Sequence, residues 1–129
     1  MTTRGVGVDL VDVTRFALAL ERRPALVARL FTERERAEAH ERPERLAARF
    51  AAKEAVLKSL GVGLGAAPWH AIEIRRSASG APRVHLRGAA AALARERGVG
   101  GWYVSLSHTG VTAAAFVVAS AEAEVAGAG

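Results

Sequence analysis

Three side chains pose the chemical question: Asp9, Glu54 and Lys58. Asp9 sits inside the apolar run GVGVDLVDVTRF, residues 5–16, behind two glycines. Glu54 and Lys58 lie four residues apart in RFAAKEAVLKSLGVGLG, residues 49–65. In a helix that spacing puts them one turn apart on one flank. Two carboxylates on elements that pack together can share a divalent cation. Mg2+ suits such a pair, because it takes one or two protein carboxylates and fills its shell with water and substrate phosphate. A lysine one turn away could then meet a phosphate as a compact point charge. Taken singly, each residue has a plainer explanation. Glu54 and Lys58 could form an i,i+4 ion pair worth ~0.2–0.5 kcal/mol. Asp9 could bond backbone amides or cap the next helix.

The distribution of basic residues adds a hint. The chain has 18 basic residues, and only Lys53 and Lys58 are lysine. Both fall in FAAKEAVLKS, residues 50–59.

The elements that must position these groups follow from periodicity and caps. Residues 4–11 read as a strand, with Val6, Val8 and Leu10 on one face and Gly5, Gly7, Asp9 and Val11 on the other. The two glycines would leave open space before the Asp9 carboxylate. Asp12 is a helix N-cap for residues 13–22, and Pro24 marks a break or a further helical turn. TERE, Thr32 to Glu35, fits a capping box and predicts a short helix. Pro43 opens a long helix over about 44–60, which Gly61 ends. Its core side is predicted to carry Leu46, Phe50, Val56, Leu57 and Leu60, with Ala47 and Ala51 framing Glu54 and Lys58. GVGLG, 61–65, makes a loop with backbone amides near by.

The second half changes character. HAIEIRR (70–76) and RVHLR (83–87) read as paired strands around the turn SASGAP. Residues 89–98 read as a helix. WYVSLSH (102–108) and TAAAFVVAS (112–120) read as two more strands turning at Thr-Gly, and a tail from about 121 is expected to fray. The fold class is α+β: one domain over residues 1–129, helices packed on an antiparallel sheet. SLSHTG, 105–110, brings Ser107, His108 and Thr109 to a strand end. Ser107 and His108 would face opposite ways, which disfavours a nucleophilic pair and leaves a phosphate or base contact, or an ordinary hairpin turn. His40, His70 and His85 lack metal-ligand spacing.

Composition narrows the classes. Half of the 129 residues are hydrophobic and 24% charged, as in an ordinary soluble domain. No apolar run approaches the ~20 residues of a membrane span. There is no cysteine, which excludes disulfides and thiol chemistry. A cytoplasmic protein with no membrane partner is expected. The net charge of +5 points to an acidic partner. A basic nucleic-acid-binding module is the competing class. Against it, the seven aromatic residues form no stacking platform on a strand.

Four motifs, in order and spaced over nearly the whole chain, resemble the holo-[acyl-carrier-protein] synthases, the small bacterial 4′-phosphopantetheinyl transferases. GVGVDLVDVTRF is similar to the family's opening motif, with Asp9 and Arg15 in place. RFAAKEAVLKSLGVGLG is similar to its signature, with Arg49, Phe50, Lys53, Glu54, Lys58 and Gly61 in register. GAP (80–82) resembles a Gly-x-Pro turn, with Ala81 where lysine is common. VSLSHTGVTAAAFVV resembles the closing hairpin.

The resemblance implies transfer of the 4′-phosphopantetheine arm of coenzyme A to a serine of an apo acyl carrier protein of fatty acid or polyketide synthesis. Adenosine 3′,5′-bisphosphate would leave. It implies Mg2+ on Asp9 and Glu54, with Glu54 and Lys58 catalytic. It implies coenzyme A contacts from Arg49, Lys53, Lys58, Gly61, Gly63, Pro82, Ser107, His108 and Thr109, Lys53 being otherwise structural. It implies a homotrimer with active sites between subunits. An acidic carrier would dock on the basic first half, at Arg15 and Arg22, with Arg23 and Arg29 adding to the attraction. A relative that only binds carriers would lack reason to keep Asp9, Glu54 and Lys58 together.

Overall fold

The computed structural model describes residues 1–123. Strand β1 (Thr3–Asp12) runs directly into helix α1 (Val13–Arg22), because the Asp12 carboxylate accepts the Arg15 backbone N–H at 2.9 Å. Pro24 heads the short α2 (Ala25–Leu30). Thr32 and Glu35 close a reciprocal capping box at the start of α3 (Glu33–Ala39). The long α4 (Pro43–Ser59) opens on proline. A 3₁₀ turn (Trp69–Ala71) occupies the first residues of the expected third-quarter strand and leads into β2 (Ile72–Arg76). Then come β3 (Pro82–Leu86), α5 (Gly88–Glu96), β4 (Gly101–His108) and β5 (Thr112–Ser120).

The strands form two antiparallel sheets. One has the order β1-β5-β4, the other is the β2-β3 hairpin. Strand β1 pairs with β5 in a register that sets Asp9 opposite Ala115, and Ala115 lies opposite Leu106 of β4. Helix α4 crosses the inner face of the three-stranded sheet, mainly over β1 and β5. Leu46, Val56, Leu57 and Leu60 are buried as the periodicity predicts, while Phe50 is half-buried in an aromatic row between Phe16 and Trp69.

Two expectations about space are overturned. Gly5 and Gly7 clear no room for a ligand. A Cβ on Gly7 would run into the Ala55 carbonyl and lie 2.9 Å from its carbon, and one on Gly5 would strike the Ser59 carbonyl. The glycines exist so that α4 can lie directly on β1. Ala47 and Ala51, expected to frame an opening, are fully buried under the sheet with Ala52 and Ala55. Small residues on both elements serve one close helix–strand approach.

The outer face of the same sheet is apolar and exposed: Val6, Val8 and Leu10 of β1, Phe116 of β5 and Tyr103 of β4. The first residues of the tail expected to fray are hydrogen-bonded to Thr2. Ala121 N–H donates to the Thr2 carbonyl at 2.9 Å, and the Glu122 carboxylate accepts the Thr2 N–H at 2.8 Å. The rest of that expected tail, 124–129, lies outside the described residues. Among the described residues no helix is long and apolar enough to cross a membrane.

Candidate active site

The close packing of β1 on α4 brings Asp9, Glu54 and Lys58 together. Lys58 Nζ donates to Asp9 Oδ1 at 2.8 Å and to the Val8 carbonyl at 3.1 Å. The ion pair that Lys58 makes therefore spans 49 residues of sequence rather than one helical turn. Asp9 is largely covered, its side chain 12% exposed, while Lys58 reaches solvent at 53%. Glu54 is half-buried beside Asp9. Burial first, then repulsion from Asp9, push the Glu54 carboxyl up to about 7, an effect that Lys58 partly offsets. The hydrogen bond to Asp9 chiefly holds the Lys58 ammonium above its ordinary value.

This donor set fits Mg2+. The oxygens are hard, and burial together with repulsion from Asp9 raises the proton affinity of Glu54, a cost that a divalent cation between the carboxylates would relieve. Among the described residues no cluster of three or more metal-ligating side chains occurs. A two-carboxylate site completed by water and phosphate is the arrangement Mg2+ accepts.

A second feature lies on the opposite flank of α4, toward β4. A cavity of about 280 Å³ is lined by Arg45, Arg49, Arg75, Arg76 and His108, with Ala48, Ile74, Leu106, Gly80 and Pro82 as its remaining walls. Among the described residues no acidic side chain lines it. Arg49 is 5% exposed, and its Nε–H has no hydrogen-bond partner among the described residues. A buried, unpartnered donor in a wall of arginines is prepared for an anion with several acceptor oxygens.

Of the residues expected at coenzyme A, the structure gathers Arg49, Pro82 and His108 at this cavity and Lys58 at the carboxylates. It places the others elsewhere. Lys53 is fully buried and spends its three N–H donors on Glu35 Oε1 at 2.7 Å and the carbonyls of Leu30 at 2.8 Å and Trp69 at 3.0 Å. None is left for a ligand. The Gly61 N–H caps α4 by donating to the Lys58 carbonyl at 2.9 Å, and Gly61 itself has a φ of +73°. Gly63 is exposed in the following loop. Thr109 Oγ1 accepts the N–H groups of Val111 at 3.2 Å and Thr112 at 3.0 Å, holding the β4–β5 turn. Ser107 lies opposite Ala114 on the exposed side of β4, away from His108, as strand alternation requires.

Arg15 and Arg22 are exposed on α1, two turns apart, with exposed Leu18 between them. Sequence reasoning missed Arg45, Arg75 and Arg76. Arg45 carried a signal, since it precedes Arg49 by one turn. The convergence of the Arg75–Arg76 pair on the same cavity did not. The capping box placed Glu35 beside the Thr32 N–H, which it accepts at 3.0 Å, but not its buried bonds to Lys53 and to the Ile74 N–H at 2.9 Å.

Residues 5–117 match the model of the 4′-phosphopantetheinyl transferase superfamily. The chain is 51% identical to the holo-[acyl-carrier-protein] synthase of Frankia alni over 92% of its length and 98% of that protein. It is 52% identical to the synthase of Micrococcus luteus over 92% of its length and 93% of that protein. In three dimensions it is similar to the Neisseria meningitidis holo-[acyl-carrier-protein] synthase, with a TM-score of 0.82, 32% identity, and 92% and 98% of the two chains covered. It is also similar to the Helicobacter pylori synthase in complex with coenzyme A, with a TM-score of 0.81, 27% identity, and 89% and 99% covered.

Proposed function

The chain belongs to the 4′-phosphopantetheinyl transferase superfamily, and from that premise we propose the reaction its site carries out. It is a holo-[acyl-carrier-protein] synthase, moving phosphopantetheine from coenzyme A to an acyl carrier protein. The transfer is Mg2+-dependent, the acceptor is a serine hydroxyl, and adenosine 3′,5′-bisphosphate leaves. One observation carries this reading: the meeting of two carboxylates and an ammonium where β1 lies on α4.

Phosphoryl transfer calls mainly for positioning and charge neutralisation. Asp9 and Glu54 would hold Mg2+, which supplies charge neutralisation at the pyrophosphate. Lys58 adds a positive charge to the phosphoryl oxygens from the solvent side of the pair. A carboxylate has two oxygens, so Glu54 can bind with one and take the serine proton on the other. The basic cavity holds the adenosine end of the donor through its phosphate oxygens. Arg15 and Arg22 on α1 face the acidic carrier. Because β1 passes straight into α1, that face begins six residues from Asp9.

The same geometry supports a homotrimer with shared sites. In the sheet order β1-β5-β4, Asp9 lies on one edge strand with Glu54 beside it on α4, while Leu106 and His108 on the other edge strand form one wall of the cavity. Asp9 and Leu106 are level with each other but two strands apart, roughly 10 Å, and α4 lies between the two features. A donor extended from cavity to carboxylates is better placed between the cavity of one copy and the carboxylates of the next. The exposed apolar sheet face offers the surface for such contacts. We place the reaction in the cytoplasm.

The direct test is mass spectrometry of an apo carrier mixed with the protein, coenzyme A and Mg2+. The phosphopantetheine mass should appear, and Asp9→Ala or Glu54→Ala should abolish it. Wild-type turnover by either variant would refute the metal assignment. Mixing inactive Glu54→Ala and Arg49→Ala subunits should restore activity, since some interfaces then combine an intact cavity with intact carboxylates. No recovery in mixed oligomers would place the whole site in one chain.

A further inference from the structure

Glu38 of α3 stands behind the basic cavity without lining it. Its Oε1 accepts the Arg76 backbone N–H at 2.8 Å and lies 3.5 Å from Arg49 Nη2. Its Oε2 accepts from Arg34 Nε at 3.2 Å. Two of the cavity's arginines, on different elements, thus share one carboxylate oxygen: Arg49 by its side chain on α4, Arg76 by its backbone at the end of β2. Glu38 is only 20% exposed on its side chain and Arg49 6%, so the pair is sheltered from water. Holding Arg49 by the tip of its fork points the unpartnered Nε edge elsewhere.

We infer that Glu38 is a positioning residue for the cavity, fixing Arg49 and the β2 end so that they act together on a phosphate monoester of the donor. This rests on the reading of the cavity as the coenzyme site. The donor's monoester is the 3′-phosphate of its adenosine. It gathers more free oxygens and more charge on one phosphorus than either phosphoryl group of the bridging pyrophosphate, which suits a wall of arginines.

The sign of the effect separates positioning from charge. By charge alone Glu38 weakens anion binding, since it sets a negative group behind the arginines. Neutralising it would then tighten coenzyme A. By positioning, neutralising it releases Arg49 and weakens coenzyme A.

The experiment measures steady-state kinetics of Glu38→Gln with coenzyme A and with dephospho-coenzyme A, which lacks the 3′-phosphate. We expect the KM for coenzyme A to rise about tenfold, the loss of one charge-assisted contact, with kcat within about twofold. The KM for dephospho-coenzyme A should not move, so discrimination between the donors falls. A KM for coenzyme A that is unchanged or lowered overturns the inference, as does an equal rise for both donors. Glu38→Asp keeps the charge one methylene short and should give a smaller rise with the same donor selectivity. If Glu38→Gln fails to fold, an unchanged KM in Glu38→Asp overturns the inference. Arg49→Ala separates the two levels. If it weakens coenzyme A while Glu38→Gln does not, Glu38 alone is misassigned; if it has no effect, the cavity is not the coenzyme site and both readings fall.

Discussion

Gly7→Ala should cripple this protein although it adds one methyl group. In a strand, alanine is ordinarily better than glycine by roughly 0.5–1 kcal/mol. Here the new Cβ would overlap the Ala55 carbonyl oxygen, sit 2.9 Å from the carbonyl carbon and 3.1 Å from the Ser59 nitrogen. Carbon atoms rest at about 3.5–4.0 Å. Helix α4 would therefore have to retreat by about 1 Å. The obstacle is helix backbone, so no rotamer change can relieve it. Overpacking of this kind costs ~1–3 kcal/mol, and the upper end is expected here. Thermal unfolding should fall by roughly 10 °C for a chain of this size. The same 1 Å separates Asp9 on β1 from Glu54 and Lys58 on α4, and a misplacement of that size can cost ~10²-fold in rate. Turnover per folded molecule should drop accordingly. Gly63→Ala is the control: a Cβ there meets nothing within 4 Å. Wild-type stability and turnover for Gly7→Ala would refute the claim that the glycine contact sets the site.

Lys53→Met should remove a buried cation from Glu35 and destabilise the fold by ~3–5 kcal/mol, with turnover per folded molecule largely kept; Lys58→Arg should keep the fold and lose most activity, and unfolding and rate measurements on both variants decide whether the roles are reversed. Glu54 has its pKa raised from 4.5 to about 7, so its proton favours the folded state; that stability is complete below about 4.5 and lost as pH rises through about 7. Without divalent ions, Glu54→Gln should therefore melt higher than wild type at about pH 8, and Mg2+ should raise only the wild-type melting temperature; equal melting of the two proteins across the range would contradict the shift. Arg15→Glu should raise the KM for the carrier protein and leave that for coenzyme A unchanged, with the carrier KM also rising with salt; equal damage to both substrates would move Arg15 into the catalytic site.

The sequence by itself determined the elements and the residues of the carboxylate site. Strand, capping box, proline-led helix and paired strands are local matters of period and cap chemistry, and they are legible because each depends on neighbours within a few positions. Asp9, Glu54 and Lys58 stood out as polar groups in apolar runs. What the sequence could not determine is which surface each small or charged residue meets. Gly7 reads equally as space for a ligand and as space for a helix, and only the lie of α4 on β1 decides for the helix. Lys53 and Lys58 are the same residue type five positions apart. One spends every donor on Glu35 and two carbonyls, and the other reaches across to Asp9 and solvent. The basic cavity needs Arg45 and Arg49 from α4, Arg75 and Arg76 from β2 and His108 from β4 to converge, and Glu38 from α3 to stand behind them. Those residues span seventy positions of chain. Their meeting is a product of long-range packing, which no local period encodes.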